Sequence, residues 1–181
     1  AYDMRPNRRL QLLTDVRFST MATYMYEDAV KLPVALFVVE LLTTVARHEH
    51  ENRQLFEFVD ASIDVLELDG EHTANFHLVF MTMLTRLVGI APDEENYAAG
   101  SWLDLREGCF TLLRPAHQDV AQPEVARRIA LFLRGGFEGV AMPMNRDERN
   151  CCLDALMDYY RLHLPSFPEL KSVAILRQLF Q

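Results

Sequence analysis

At 181 residues, 50% hydrophobic and 24% charged, the chain suits one domain, or one domain with an appendage, and can bury its own core. Its 26 acidic side chains outnumber 18 basic ones, and the net charge of −8 excludes a chain-wide basic surface of the kind that grips nucleic acid. Only Lys31 and Lys171 are lysines, so the remaining bases are arginines, whose planar forks suit local contact with carboxylate or phosphate.

The chain opens on RRLQLLTDVRF (8–18), which alternates weakly and reads as a strand or extended lead-in without a long partner strand later in the sequence. With no initiator Met at position 1, residues 1–19 are expected to be the remnant of a preceding domain. From residue 20 the helical period takes over. A short helix is predicted near 20–26 and a long one near 27–48, where Val30, Val34, Phe37, Leu41 and Val45 form a core stripe. The apolar run LPVALFVVELLTTVA within it is interrupted by Glu40 and is shorter than a bilayer requires. AYDMRPNRRLQ has neither the apolar centre nor the cleavage pattern of a signal peptide, so a cytoplasmic protein without a membrane span is expected.

A third helix is predicted over about 51–69, ended by Asp69-Gly70, and a fourth over 73–89, apolar around most of its circumference and therefore central. APDEENYAAG (91–100) is a polar loop. In SWLDLREGCFTLL (101–113), apolar runs flank Arg106-Glu107-Gly108, the signature of a β-hairpin. Helices resume near 122–134, 145–163 and 168–179. GGFEG ends the first of these, and Asn145 with Glu148 three residues on forms a capping box for the second. The predicted fold is mainly α: a helical bundle over 20–181 with one small hairpin insertion and an N-terminal extended segment.

Chemistry is sparse. None of the six His follows a Glu by three residues, which excludes the paired Glu-x-x-His of a di-iron bundle. His48 and His50 cannot share a helical face, and His77 on its apolar helix reads as a core histidine. Cys109, Cys151 and Cys152 form no CxxC pair, so no metal and no disulfide is expected. RGGFEG follows a helix rather than a strand and reads as a helix end, not a phosphate loop. No nucleophile motif or acid–base pair stands out, and no enzyme or cofactor is predicted.

The arginines are more informative. In PEVARRIALFLRG, Val125, Ile129, Phe132 and Leu133 form the buried side, while Arg127, Leu131 and Arg134 fall at i, i+4 and i+7 on another face. Two guanidiniums flanking an exposed leucine can hold a short acidic peptide ending in an apolar residue. Arg146 and Arg149 stand at a helix start, against the macrodipole, which points to an ionic partner, either Asp147 and Glu148 in surface salt bridges or an acidic group of another molecule. The same two readings stand for Arg127 and Arg134. Arg161 and His163 flank the Leu164-Pro165 break and are further docking candidates, whereas Lys171 and Arg177 read as structural.

The closing segment DYYRLHLPSFPELKSVAILRQLF resembles the C-terminal end of RecO-type DNA repair proteins, in the form found in Bacteroides-like bacteria. RRLQLLTDVR, LPVALFVVELL, ENRQLFEFVDASIDVLE, NFHLVFMTMLTRLVGIAP and WLDLREGCF agree in order, so the resemblance covers essentially residues 5–180. It implies a mediator of homologous recombination in the RecFOR pathway, which anneals strands and helps load RecA. Such proteins carry an N-terminal OB-fold, here missing, and a C-terminal helical domain. The implied partners are RecR, the acidic tail of single-stranded DNA-binding protein, and DNA mainly through the missing domain. Many relatives hold zinc with four cysteines around the hairpin; only Cys109 stands there, so zinc is not carried over. The rival reading is a helical regulatory or ligand-binding domain unrelated to DNA repair, with a closed apolar cavity lined by Phe76, Phe80 and Met83.

Overall fold

The computed structural model describes residues 2–3, 12–13, 23–46, 52–68 and 73–179. Of the expected lead-in at 8–18, only β2 (Leu12–Leu13) falls among them; it pairs antiparallel with β1 (Tyr2–Asp3), so its partner precedes it in the chain, and the rest of the lead-in lies outside the described residues. The helical part comprises α1 (Thr23–Glu27), α2 (Lys31–Val45), α3 (Arg53–Leu68), α4 (Phe76–Leu87), α5 (Pro123–Gly135), α6 (Arg146–His163) and α7 (Ser172–Leu179). A 3-10 turn, Thr73–Asn75, leads into α4, and a second 3-10 segment, Gly136–Ala141, joins α5 to α6. The Gly70 stop after α3 lies outside the described residues.

The ends follow from local chemistry. Asp28 starts α2 by accepting the amides of Val30 and Lys31 at 2.7 and 3.1 Å, and these bonds hold its carboxyl below the usual range. Pro33 sits in the first turn, where its missing amide costs nothing. Asn145 and Glu148 form the expected capping box of α6: Asn145 Oδ1 accepts the Glu148 amide at 2.9 Å and Glu148 Oε2 accepts the Asn145 amide at 2.8 Å. α7 begins four residues later than its pattern suggested. Its first amides are taken by a side chain from another helix, Glu40 of α2, which accepts from Lys171 N at 3.0 Å and Ser172 N at 2.9 Å and also binds the Ser172 hydroxyl.

α4 is the central helix. Phe76 through Thr82, with Leu84 and Thr85, are buried, and α2, α3, α5 and α6 pack around it. Phe76 and Phe80 stack with Phe58 and Phe137 at centroid distances of 5.1–6.1 Å, so these rings fill the centre with one another. His77 is buried there edge-on to Phe37, and burial first, with the nearby Arg149 charge, pushes its pKa down to about 3. The adjacent cysteines diverge: Cys151 is exposed, whereas Cys152 is buried and its thiol is pushed up to about 12.

The expected hairpin is present as β3 (Trp102–Asp104) and β4 (Cys109–Thr111), with Leu103 opposite Phe110. A third strand, β5 (Val120–Ala121), adds to the other edge of β3, giving a sheet of order β4-β3-β5 that the sequence pattern did not suggest. The sheet is tied to α6. Tyr159 donates its hydroxyl to the Ile90 carbonyl at 2.6 Å, and His163 donates from Nε2 to the Leu105 carbonyl at 2.8 Å. Asp104 organises the turn by accepting the amides of Arg106 and Glu107 and, at 3.1 Å, Nε2–H of His117. No helix among the described residues is long and apolar enough to cross a membrane.

Candidate docking surface on α5 and α6

α5 buries Ala126, Ile129, Ala130, Phe132 and Leu133 and turns Arg127, Leu131 and Arg134 outward, as the spacing predicts; Leu131 is 38% exposed. The two guanidiniums are rooted seven residues apart, about 10 Å along the axis. Their charges are not cancelled in kind. Arg127 makes no hydrogen bond or ion pair among the described residues; the Glu148 carboxyl nearby is held below its ordinary value first by the Asn145 amide, then by Arg128, and least by Arg127. Arg134 donates to a backbone carbonyl, that of Glu94, at 3.1 Å, and its guanidinium carbon lies 5.2 Å from the centre of the Tyr97 ring.

Arg128, next to Arg127 on the buried side, behaves oppositely. It is 7% exposed and binds Glu148, locking α5 to the start of α6. Arg146 is exposed and donates to the Arg177 carbonyl at 3.1 Å, with no carboxylate partner among the described residues. Arg149 is half-buried and donates to the Met144 carbonyl at 2.5 Å. Arg161 pairs with Asp158 at 2.8 Å, one turn back on the same helix. His163 lies against Tyr159 at a centroid distance of 4.1 Å and is engaged by Leu105.

The seven candidates therefore do not form one patch. Arg127, Leu131 and Arg134 share a face of α5, and Arg146 and Arg149 start α6. Arg161 and His163 stand roughly 22 Å or more from Arg146 along α6. Arg161 lines an open cleft of about 850 Å³ between α6 and α7, where Asp154, Asp158 and Glu169 alternate with Arg161, Lys171 and Arg177 over an apolar floor of Met157, Leu170 and Val173. The Asp154–Arg177 pair closes one side of that cleft. Its walls balance acid with base, whereas the α5 face is cationic around one leucine.

Sequence reasoning missed Arg86, Glu94 and Tyr97. Arg86 ends α4, donates to Glu94 Oε1 at 2.6 Å and to the Leu133 carbonyl at 3.0 Å, and so brings a third cation to the end of α5. The acidic run Asp93-Glu94-Glu95 was a usable signal, since a carboxylate cluster beside arginine-bearing helices has to meet some of them. Arg114 over Trp102, at 5.3 Å, was likewise not anticipated. No group of three or more His, Cys, Asp or Glu among the described residues is placed to hold a metal ion.

Comparisons with known proteins identify the family. Residues 26–173 match the family model described as Recombination protein O C terminal. The DNA repair protein RecO of Bacteroides fragilis is 39% identical over 180 residues, covering 98% of this chain and 74% of that protein. RecO of Phocaeicola vulgatus is 38% identical over 179 residues, with the same shares of each chain. RecO of Porphyromonas gingivalis is 36% identical over 180 residues, covering 97% and 73%. No solved structure matches the chain. A family model spanning most of the residues, and relatives of this identity over nearly the whole chain, place it: the chain belongs to the RecO family of DNA repair proteins.

Proposed function

We propose that this helical unit is the protein-docking module of the recombination mediator, and that its α5 face binds the acidic tail of single-stranded DNA-binding protein. The observation that carries the reading is the contrast within one acidic chain. Arg53, Arg86, Arg106, Arg128, Arg161 and Arg177 are each paired with a carboxylate; among the described residues Arg114, Arg127, Arg134 and Arg146 are not, and of these Arg127 and Arg134 flank the exposed Leu131. A peptide with carboxylates and an apolar end complements that face in charge and in hydrophobicity. Two guanidiniums on one helix face are too few for a phosphate backbone, whose affinity grows with each phosphate neutralised. DNA contact is therefore assigned mainly to the OB-fold domain of such mediators, and RecR is the second protein partner. Arg146 and Arg149 form a secondary contact at the start of α6, and Arg161 and His163 a more distant one.

The test is a fluorescence-anisotropy titration with a labelled peptide of the acidic tail. Replacing Arg127 and Arg134 together by alanine should weaken binding about fivefold, as expected for losing two exposed charge pairs of about 0.5 kcal/mol each. Unchanged affinity would refute the α5 assignment. Titration with single-stranded DNA at low salt should give weak binding; tight, steeply salt-dependent binding would contradict the docking role. The packing of Phe76 and Phe80 against Phe58 and Phe137 favours this reading over a closed ligand cavity at those residues.

A further inference from the structure

The loop after α4 contains Asp93-Glu94-Glu95-Asn96-Tyr97, itself a short acidic peptide ending in an aromatic side chain, and it lies against the C-terminal end of α5. Arg134 holds the Glu94 carbonyl and covers the Tyr97 ring, while Arg86 holds the Glu94 carboxylate. The backbone of the loop is fixed by other bonds. The Asp93 amide donates to the Gly108 carbonyl at 2.7 Å, and Asp93 accepts the Glu95 amide and the Asn96 side chain at 3.0 and 3.1 Å. Tyr97 is seated edge-on against Phe110 at 5.2 Å. Glu94 Oε2 is buried and has no donor among the described residues.

Resting on the α5-face reading above, we infer that Glu94 is a built-in competitor of the incoming peptide: with Tyr97 it engages Arg86 and Arg134 as a ligand's acidic and apolar groups would. An exposed ion pair of this kind is weak, so a ligand bearing several carboxylates displaces it while a singly charged one does not. The contact therefore sets a threshold of ligand charge, which makes the site selective for strongly acidic tails.

The experiment measures affinity for the same labelled tail peptide in four variants of the full chain. Glu94→Gln keeps the shape of the side chain and removes its charge; the affinity should rise about two- to fivefold. Glu95→Gln changes the net charge equally at the neighbouring exposed position and should change affinity much less. The gain from Glu94→Gln should vanish when Arg86→Ala is also present, because the Glu94 carboxylate acts through that guanidinium, whereas Arg134 meets only the Glu94 backbone carbonyl and the Tyr97 ring. Equal gains from Glu94→Gln and Glu95→Gln would reduce the effect to net charge and overturn the inference. A loss of affinity in Glu94→Gln would also overturn it, by making Glu94 a support of the site. Arg127→Glu separates the two readings: if it weakens binding while Glu94→Gln does nothing, the docking face stands and the competitor falls. If Arg127→Glu leaves binding unchanged, both fall.

Discussion

Replacing Glu40 by alanine is expected to release α7. The carboxylate stands on α2 and is the only cap α7 has among the described residues: it accepts the Lys171 and Ser172 amides and the Ser172 hydroxyl. Removing a helix cap costs about 1 kcal/mol, and a hydrogen bond to a charged group contributes about 1.5–3 kcal/mol when well buried. Glu40 is half-exposed, so a total near 2–3 kcal/mol is expected, partly from the loss of a negative charge at the positive end of the helix. With a urea slope of about 2 kcal/mol/M, the unfolding midpoint should fall by roughly 1–1.5 M. Amide exchange at Lys171 and Ser172 should accelerate with it. The pH dependence gives a second reading. Burial raises the Glu40 pKa, but the bonds from Ser172 and Lys171 outweigh it and hold the carboxyl below its ordinary value of 4.5. A depressed acid contributes stability that is present above the unfolded pKa and lost as pH falls through the folded one. The difference between wild type and Glu40→Ala should thus be full at pH 7 and shrink below about pH 4. If the variant unfolds at the wild-type urea concentration, α7 is held by the packing of Leu176 and its neighbours alone, and the reasoning from the cap is refuted.

Gly108→Ala should loosen the hairpin, because the new Cβ would stand 2.6 Å from the Tyr159 hydroxyl oxygen at a residue whose φ is +64°. A loss of about 2–4 kcal/mol in urea unfolding is expected, with the Tyr159–Ile90 bond broken. Gly89→Ala, where a Cβ meets nothing within 4 Å, should cost less, so equal losses would show that backbone conformation alone decides. Buried His77 titrates at about 3 rather than 6.5, so between those values the unfolded chain binds the proton and the native one does not. Stability should therefore fall as pH drops below about 6.5, approaching 1.4 kcal/mol per pH unit from this group, and His77→Phe should flatten that slope between pH 4 and 6. Ser166 lies at φ +59°, so Ser166→Gly should raise the melting temperature slightly or leave it unchanged; a clear decrease would mean that its side chain matters to the turn.

Much of the helical frame was legible because its period is long and its punctuation strong. Val34, Phe37 and Leu41 are buried as the stripe on α2 required, Gly89 ends α4 with a positive φ, and Asn145 with Glu148 caps α6. β5 was not legible: its two residues, Val120 and Ala121, are too short to carry an alternation, and only their pairing with Leu103 and Asp104 makes them a strand. The start of α7 was misplaced for a related reason, since its cap comes from a residue 131 or 132 positions away. At the docking face, the outward turn of Arg127, Leu131 and Arg134 follows from helical spacing alone. What those guanidiniums meet does not. The i, i+3 pairing of Arg161 with Asp158 can be read along one helix, but the Arg134–Glu94 contact spans 40 residues and two elements.

The guanidinium bonds to backbone carbonyls carry a consequence for composition. Arg86 joins α4 to the Leu133 carbonyl of α5, Arg134 joins α5 to the loop at Glu94, and Arg146 joins α6 to the Arg177 carbonyl of α7. Each is a seam between separate elements made by a flat, multi-pronged head, and the Arg86 head reaches a carboxylate at the same time. Both Arg86 bonds leave from Nη2, whose two hydrogens are held in the guanidinium plane, whereas an ammonium's hydrogens rotate freely and its head is more strongly hydrated. A lysine-for-arginine exchange at these seams would leave the electrostatic sum untouched while unpicking the joins, which is a mechanical reason for a chain of 18 basic residues to use lysine only at positions 31 and 171.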